Sequence, residues 1–144
     1  MTKMSGILMV RDVMTKNVKT VSIYENVREA VQKMNKFNIG SVVVVDTERR
    51  RPIGIVTERD ILRMVELHSE PKLFEIKKIM STPLVTINPN TDIEDAAKLM
   101  TKKRIKRLPV IENDRLVGII TSSDIMKASP KLVSVFMDLL REIS

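Results

Sequence analysis

The chain has no cysteine and no tryptophan, and it contains only one tyrosine, three phenylalanines and one histidine. Without cysteine it forms no disulfide framework and no thiolate metal site. One histidine cannot supply a histidine cluster or a His-based triad, so we interpret His68 as an ordinary residue of a charged helix. No nucleophile–base pair and no metal-ligand set can be assembled, so we expect a protein that is not an enzyme.

Long hydrophobic runs are also missing. No segment approaches the roughly 20 apolar residues that a membrane span needs, and residues 1–10 lack the cleavage pattern of a signal peptide. We therefore expect no membrane partner and a cytoplasmic location. Neither a GxxxxGK[ST] phosphate loop nor a GxGxxG motif occurs. The net charge of +7 favours an anionic partner, which leaves a nucleotide, a nucleic acid and an acidic protein surface open.

What the sequence does contain is an internal repeat. Residues 13–64 align with residues 79–127, first at a spacing of 66 and then, after two extra residues in the loop 47–51, at a spacing of 64. The matches include Met14-Thr15 with Met80-Ser81, Thr20-Val21 with Thr86-Ile87, Ala30 with Ala96, Met34 with Met100, and Gly54-Ile55-Val56-Thr57 with Gly118-Ile119-Ile120-Thr121. Such self-similarity indicates a duplicated structural unit.

Each copy has the same pattern of predicted elements. An extended piece (19–21; 85–87) precedes an amphipathic helix, in which apolar residues recur at helical spacing from Val27 or from Ile93. Two β-rich runs follow as a hairpin (41–45 and 53–56; 108–111 and 116–120), and a second helix begins at Thr57 or Thr121. The fold class is therefore α/β (α+β), with two β-α-β-β-α units. Because one unit of this size buries little surface, the two are expected to pack sheet against sheet.

Two segments lie outside the repeat. The connector is predicted to continue the preceding helix and to break at Pro71, and the loop arginines 49–51 are predicted to be exposed. The tail is predicted to be one helix with Ser129 as N-cap and Pro130 in its first turn. Its apolar stripe either covers its own domain or contacts a dimer mate or another partner. The stripe consists of Leu132, Val133, Phe136, Leu139, Leu140 and Ile143.

The sharpest motif is Gly-h-h-Thr-x-x-Asp, where h is apolar, at 54–60 and again at 118–124. Thr-x-x-Asp at a helix start is a capping box. The same place also suits an anionic or polyhydroxyl ligand, because a helix N-terminus presents free N–H groups. A short carboxylate there can accept two hydrogen bonds from a ribose diol. The threonine serves both interpretations.

Together these elements resemble the paired cystathionine-β-synthase-type (CBS) domains, or Bateman modules. The resemblance covers about residues 8–128 and rests on the Met-Thr or Met-Ser opening, the helix pattern, the strand after Ile39 or Ile105, and the closing motif. Leu108-Pro109-Val110-Ile111 is typical of the family, whereas copy one has Val43 in place of the proline. The resemblance implies two repeats related by pseudo-two-fold symmetry, with motif 1 at 8–66, a connector at 67–78, motif 2 at 79–128 and a C-terminal helix at 129–144.

The resemblance also implies the ligand and its contacts. Family members bind AMP, ADP, ATP, S-adenosylmethionine or related adenosyl ligands, with aspartates on the ribose, threonines near ribose or phosphate, and the first strand on adenine through its backbone. Basic residues at the entry of the second strand contact phosphate. The implied nucleotide-binding set is Thr15, Lys19, Thr20, Gly40, Thr57, Arg59, Asp60, Ser81, Val85, Thr86, Lys106, Arg107, Thr121, Ser123 and Asp124.

The two implied sites differ in charge. Lys106 and Arg107 stand where copy one has the uncharged Gly40 and Ser41, so the sites are expected to be unequal. The neighbouring cations 102–104 are expected either at the C-terminal end of a helix, where they meet its dipole, or near phosphate.

The sequence thus predicts a regulatory module with no obligatory cofactor. An adenine nucleotide would bind in the cleft between the motifs as a regulatory ligand and signal by conformational change to an unidentified partner protein. Such modules usually form homodimers, for which the tail is a candidate contact. The alternative is a nucleic-acid-binding protein that uses the basic surface, although stacking aromatics and a clear basic recognition helix are missing.

Overall fold

The computed structural model describes residues 7–48, 51–67 and 74–143. The described chain divides into two compact units, here called unit I (residues 18–85) and unit II (residues 7–17 with 86–143). The units do not coincide with the sequence repeats, because each contains the opening segment of the other repeat. The boundaries of motifs 1 and 2, which follow the sequence repeat, therefore stay a prediction from the sequence.

Unit I is a three-stranded sheet with two helices. Its elements are β1 (Thr20–Ser22), α2 (Val27–Phe37), β2 (Ser41–Val45), β3 (Pro52–Thr57) and α3 (Glu58–Leu67), while α1 (Val10–Val13) belongs to unit II. Helix α2 begins where Asn26 Oδ1 accepts the Glu29 N–H at 3.1 Å, and it ends at Asn38, which has a left-handed conformation. Strand β2 lies between a parallel β1 and an antiparallel β3.

The core of unit I lies between this sheet and its helices. Residues 42–45 of β2 are all buried, as their continuous apolar run predicts for a strand covered on both faces. Helix α2 contributes the stripe that its periodicity predicted. The central cluster consists of Val21, Ala30, Met34, Val42, Val44, Val56 and Ile76.

Unit II repeats the design with one strand fewer. Its elements are α1 (Val10–Val13), α4 (Ile93–Lys103), β4 (Arg107–Glu112), β5 (Arg115–Thr121), α5 (Ser122–Ala128), a 3₁₀ helix (Pro130–Phe136) and α6 (Met137–Ile143). Asp92 caps α4 by accepting the Glu94 N–H at 2.8 Å, as the turn sequence predicted. The strands β4 and β5 form an antiparallel hairpin whose two-residue turn places Asn113 and Asp114 at positive φ.

The strand predicted at 85–87 is reduced to a single bridge between Ile87 and Val110. In unit I the Val43 N–H donates to the Lys19 carbonyl at 3.2 Å and holds the start of β1. Pro109 occupies the matching place in β4, and proline has no N–H to donate. The bond that would order Val85 and Thr86 as strand is therefore missing, and that part of the prediction is wrong.

The tail is not the single helix that the sequence predicts. It winds as a 3₁₀ helix before α6, and Ser129 makes no side-chain cap because the Leu132 N–H bonds its carbonyl at 2.9 Å instead. Leu132, Phe136 and Leu139 are buried, and the segment packs on α4 and α5. The Thr101 hydroxyl also donates to the Val135 carbonyl at 3.2 Å. These residues of the apolar stripe thus cover their own unit, while the side chain of Ile143 lies outside the described part of the chain.

The predicted helical continuation to a break at Pro71 falls on residues 68–73, which lie outside the described residues. The next described residues after Leu67 form a bridge between Glu75 and Asn26 and then a 3₁₀ turn, Ile76–Lys78. Ile76 is fully buried in the core of unit I, which fixes this path. Arg51 is exposed as predicted. The predictions for Arg49, Arg50, His68 and Pro71 lie outside the described residues.

Candidate functional site

The topology of unit I brings three chain segments to one edge of its sheet. Strands β1 and β2 are parallel and both begin at this edge, and the antiparallel β3 ends there, with Ser41 opposite Thr57. The Glu58 N–H donates to the Gly40 carbonyl at 3.1 Å, which ties the start of α3 to the start of β2. The predicted residues Thr20, Gly40 and Thr57 therefore lie at the same edge. Arg59 is exposed in the first turn of α3.

Asp60 closes this edge by hydrogen bonds within its motif. Its Oδ2 accepts the Thr57 N–H at 2.9 Å and the Thr57 hydroxyl at 3.1 Å, and its own N–H donates to Thr57 Oγ1 at 3.3 Å. The capping-box interpretation of Thr-x-x-Asp is therefore realised in the structure. The side chain is buried, with 9% of the residue exposed.

Ser81 joins Asp60 from the opening segment of the other repeat. Its backbone pairs with Ile55, with Ser81 N–H to the Ile55 carbonyl at 2.8 Å, and its hydroxyl lies 3.4 Å from Asp60 Oδ1 and 3.5 Å from Oδ2. The repeat pattern places Ser81 on the wall of the site but does not reveal which aspartate it contacts. The structure assigns it to the motif of copy one.

Unit II builds the same arrangement from the other half of each repeat. Thr121 lies opposite Arg107 in the hairpin, its N–H donates to Asp124 Oδ2 at 3.0 Å, and the Asp124 N–H donates to Thr121 Oγ1 at 3.1 Å. Thr15 pairs with Ile119 through two backbone hydrogen bonds of 2.9 Å, in the place that Ser81 takes in unit I. Thr86 and Ser123 are exposed near this edge, and Val85, in unit I, is half-buried.

The motif glycines are explained by these crossing segments. A Cβ on Gly54 would lie 2.7 Å from Met80 Sδ, and one on Gly118 would lie 2.5 Å from Met14 Sδ and 3.0 Å from the Thr15 carbonyl oxygen. The methionine of each Met-Thr or Met-Ser opening therefore packs against a strand position that has room only for glycine. The opening methionine and the motif glycine, which are separate signals in the sequence, thus form one packing contact, and this contact occurs in both units.

We expect Gly118→Ala to lower the free energy of unfolding by about 1–3 kcal/mol, because the added methyl overlaps Met14 and a backbone oxygen that cannot move freely. Urea unfolding followed by circular dichroism measures the change. In a Met14→Ala background the same substitution should cost less, because the overlapping sulfur is gone. Equal costs in both backgrounds would contradict this packing account.

The predicted basic residues serve partly as scaffold. The Ser122 N–H donates to the Lys106 carbonyl at 2.8 Å, in the role that Gly40 has in unit I, and the Lys106 side chain is exposed. Arg107 is half-buried at the first position of β4. Lys102 and Lys103 lie in the last turn of α4, and Arg104 is its left-handed C-cap. These cations therefore lie at the negative end of the helix dipole, which agrees with the first of the two interpretations.

Lys33 is a residue at this edge that the sequence did not single out. Its Nζ donates to the Thr20 carbonyl oxygen at 2.6 Å. Lys19, by contrast, contributes its carbonyl to β2 and places its ammonium 4.2 Å from the centre of the Phe37 ring. The only signal for Lys33 in the sequence is a departure from the repeat, because Leu99 holds the matching place in copy two.

Neither a metal-binding cluster nor a membrane-spanning helix is found among the residues that the structure describes. No group of three or more His, Asp or Glu side chains there is placed to hold a metal ion. No described helix is long and apolar enough to cross a membrane.

The fold and its two like sites define a tandem-repeat α/β protein with a Thr-Asp pair at the sheet edge of each unit. A family model for the CBS domain matches residues 10–67 and again residues 76–131. The chain belongs to the CBS domain family, as the sequence motifs indicated. CBS-domain pairs are regulatory modules.

Curated relatives are similar in sequence over most of this chain. The chain is 36% identical over 116 residues to the CBS domain-containing protein YhcV of Bacillus subtilis, covering 81% of each chain. It is 37% identical over 135 residues to an uncharacterized protein, MK0525, of Methanopyrus kandleri, covering 92% of this chain and 68% of the relative.

Solved structures agree with the fold. The CBS domain protein TA0289 of Thermoplasma acidophilum superposes with a TM-score of 0.84 at 25% identity, covering 94% of this chain and 77% of that one. The CBS domain pair of protein MJ0100, solved in complex with 5′-methylthioadenosine and S-adenosyl-L-methionine, gives a TM-score of 0.78 at 29% identity and covers 87% and 98% of the two chains.

Proposed function

We propose that the protein is a regulatory sensor that binds an adenine nucleotide or another adenosyl ligand at the Thr-Asp pair of a CBS motif. The observation that carries the proposal is the arrangement of Asp60 and its counterpart Asp124. Each carboxylate lies at the sheet edge where the first strand or bridge, the second strand and a following helix meet.

The hydrogen bonds of Asp60 allow its carboxylate to cap α3 and to bind a ligand at the same time. Both Thr57 groups bond Oδ2, whereas the contact of Oδ1 is the Ser81 hydroxyl at 3.4 Å. A carboxylate oxygen has two lone pairs, so a ribose diol can donate to the capacity that remains. Charge-assisted bonds of this kind are the strong ones. The cap thus holds the aspartate in place for a ligand.

The adenosyl class is supported by a structural neighbour. The CBS domain pair of MJ0100 holds 5′-methylthioadenosine and S-adenosyl-L-methionine. In the present chain the exposed Lys106 and the half-buried Arg107 add positive charge beside Asp124, which suits a phosphorylated ligand such as AMP, ADP or ATP. Ligand binding would favour one arrangement of the protein over another and pass the change to a separate cytoplasmic protein.

Isothermal titration calorimetry with AMP, ADP, ATP and S-adenosylmethionine tests the proposal. Saturable binding by one of them supports it. Binding to an oligonucleotide that weakens steeply with salt, without any nucleotide binding, would favour the alternative of a nucleic-acid-binding protein. No observation on the structure favours that alternative over the nucleotide.

We further propose that the protein is a homodimer, and that its contact is the face formed by α2 and α3 rather than the tail. A groove of about 270 Å³ opens there. Leu62 and Val65 protrude beside it, with 69% and 51% of each residue exposed. In unit II the tail lies on the matching face, where Ala97, Met100 and Ile125 are fully buried. A face with both a groove and protruding apolar side chains can pair with its own copy. The groove is lined by Val31, Met34, Asn35, Ile39, Glu58, Ile61 and Leu62.

Leu62→Glu is expected to convert the dimer to a monomer in sedimentation-velocity ultracentrifugation. A buried leucine contributes about 1.5–3 kcal/mol on each side, and the glutamate would have to be desolvated. Tyr24→Glu is the matched control, since Tyr24 is 82% exposed and lies away from the groove residues in sequence. A monomeric wild type, or a dimeric Leu62→Glu variant, would contradict the assignment.

A further inference from the structure

An exposed phenylalanine of unit I lies among lysine side chains. Phe37 is the last residue of α2, and 39% of it is exposed. The ammonium of Lys19 lies 4.2 Å from the centre of its ring, and that of the exposed Lys36 lies 5.4 Å from the same centre. Lys33, one helical turn before Phe37, is half-buried and donates to the Thr20 carbonyl oxygen at 2.6 Å. The four side chains Phe37, Lys19, Lys33 and Lys36 are here named the Phe37 patch.

The positive charge of the Phe37 patch is not neutralised by neighbouring carboxylates. Within residues 7–48, 51–67 and 74–143, none of its three lysines forms an ion pair. The ammoniums of Lys19 and Lys36 are held close together, because both approach the same ring. An ammonium has three donors, so each can bind an anionic oxygen while it stays beside the ring.

The second copy of the repeat shows that the fold does not need this patch. Helix α4 has the same length as α2 and the same left-handed C-cap. Three of the four patch positions nevertheless carry a different kind of side chain in copy two, where Val85 replaces Lys19, Leu99 replaces Lys33 and Lys103 replaces Phe37. Formation of the helix and its cap therefore does not account for the patch.

The Phe37 patch lies on a different face of α2 from the groove that we assign to the dimer contact. Val31 and Asn35, one helical turn apart, line that groove. Lys33 and Phe37 follow them by two positions, which is about 200° around the helix. The patch therefore does not overlap the dimer contact.

The chemistry of the patch fits carboxylates that flank an apolar side chain. Ammonium groups bind carboxylates through charge-assisted hydrogen bonds, and the exposed part of the Phe37 ring offers an apolar contact between them. Single-stranded nucleic acid instead stacks its bases on aromatic faces, whereas here ammoniums lie over the ring and the chain has no tryptophan. The net charge of +7 adds long-range attraction for an acidic protein.

We propose that the Phe37 patch is a docking surface for an acidic segment of a partner protein. Carboxylates of that segment bind Lys19 and Lys36, and an apolar side chain between them packs on the ring. The surface gives the separate protein of the proposed function a point of contact. It stands without the nucleotide, because neither Asp60 nor Asp124 takes part.

Fluorescence anisotropy with a labelled acidic peptide tests the proposal on the full chain. The probe is Asp-Glu-Asp-Leu-Asp-Glu-Asp, and its uncharged counterpart is Asn-Gln-Asn-Leu-Asn-Gln-Asn. Wild type should bind the acidic peptide, more weakly as salt rises, and should not bind the uncharged one. In Lys19→Glu/Lys36→Glu the affinity should fall by about tenfold or more, because two attractive contacts become repulsive.

Two further variants separate this surface from a general attraction of charges. Phe37→Ala changes no charge, but it removes the apolar contact and the ring that holds the ammoniums, so affinity should fall by about threefold to tenfold. Lys102→Glu/Lys103→Glu is the matched control, since it makes the same change of charge at the end of α4. Its affinity should stay within about twofold of wild type. Circular dichroism melting establishes that each variant is folded.

The inference is overturned if wild type does not bind the acidic peptide, or if Lys19→Glu/Lys36→Glu binds it as tightly as wild type. An equal loss in the Lys102→Glu/Lys103→Glu control would overturn it as well, because net charge alone would then explain binding. Labelled oligothymidylate is the last probe. If it binds more tightly than the peptide and is weakened by the same variants, the patch belongs to a nucleic acid instead. None of these results bears on nucleotide binding at Asp60 or Asp124, which the calorimetric titrations test separately.

Discussion

Asp124→Asn is expected to lower the affinity of the protein for its adenine nucleotide by about a hundredfold or more. Asparagine keeps the shape of the side chain and one acceptor oxygen, so the Thr121 N–H bond of 3.0 Å and the start of α5 can persist. It removes the negative charge and the second acceptor that a ribose diol requires. Each charge-assisted hydrogen bond contributes about 1.5–3 kcal/mol, and two of them are at stake. Calorimetric titration measures the loss.

The control for this substitution is Asp114→Asn. Asp114 lies in the β4–β5 turn at a φ of 64°, a conformation that asparagine adopts readily, so the variant removes the same charge without touching the site. Its affinity should equal that of wild type. An Asp124→Asn protein that is folded and binds as tightly as wild type would reduce Asp124 to a helix cap.

Most of the fold could be predicted from the internal repeat of the sequence. Strand β2 was predicted at 41–45 and is found there, and the helix starts after Thr57 and Thr121 are confirmed. These elements are local: their periodicity, caps and turn residues lie within a few positions of each other, so one sequence suffices to find them. The pairing of Thr57 with Asp60 is local for the same reason.

Contacts between distant segments were not predictable in this way. The sequence shows Met14-Thr15 and Gly118 as separate signals, and only the structure joins them in one contact. Ser81 beside Asp60 and Lys33 on the Thr20 carbonyl are contacts of the same kind. The loss of the strand at 85–87 follows from one missing N–H, because Pro109 stands opposite it. That signal was present in the sequence but depended on knowing which strands pair.

Phe136→Ala is expected to lower the free energy of unfolding by about 3–5 kcal/mol, the usual cost of emptying a fully buried aromatic site. Phe136 has 0% of its surface exposed and belongs to the segment that packs on α4 and α5. Urea denaturation followed by circular dichroism measures the change. Met137→Ala is the neighbouring control, since Met137 is 43% exposed and its truncation should cost about 0.5 kcal/mol or less. A cost for Phe136→Ala no larger than that of the control would show that the tail is not part of the unit II core.

The same variant separates a structural role of the tail from a role in binding. Phe136 packs behind the helices of unit II, whereas the Thr121–Asp124 pair lies at the sheet edge where α5 begins. The truncation should therefore leave nucleotide affinity unchanged in the folded protein. A ligand at a concentration of 100 Kd stabilises a folded state by about 2.7 kcal/mol. Saturating nucleotide should raise the stability of wild type and Phe136→Ala by the same amount. A smaller increase in Phe136→Ala would mean that the tail helps to shape the site.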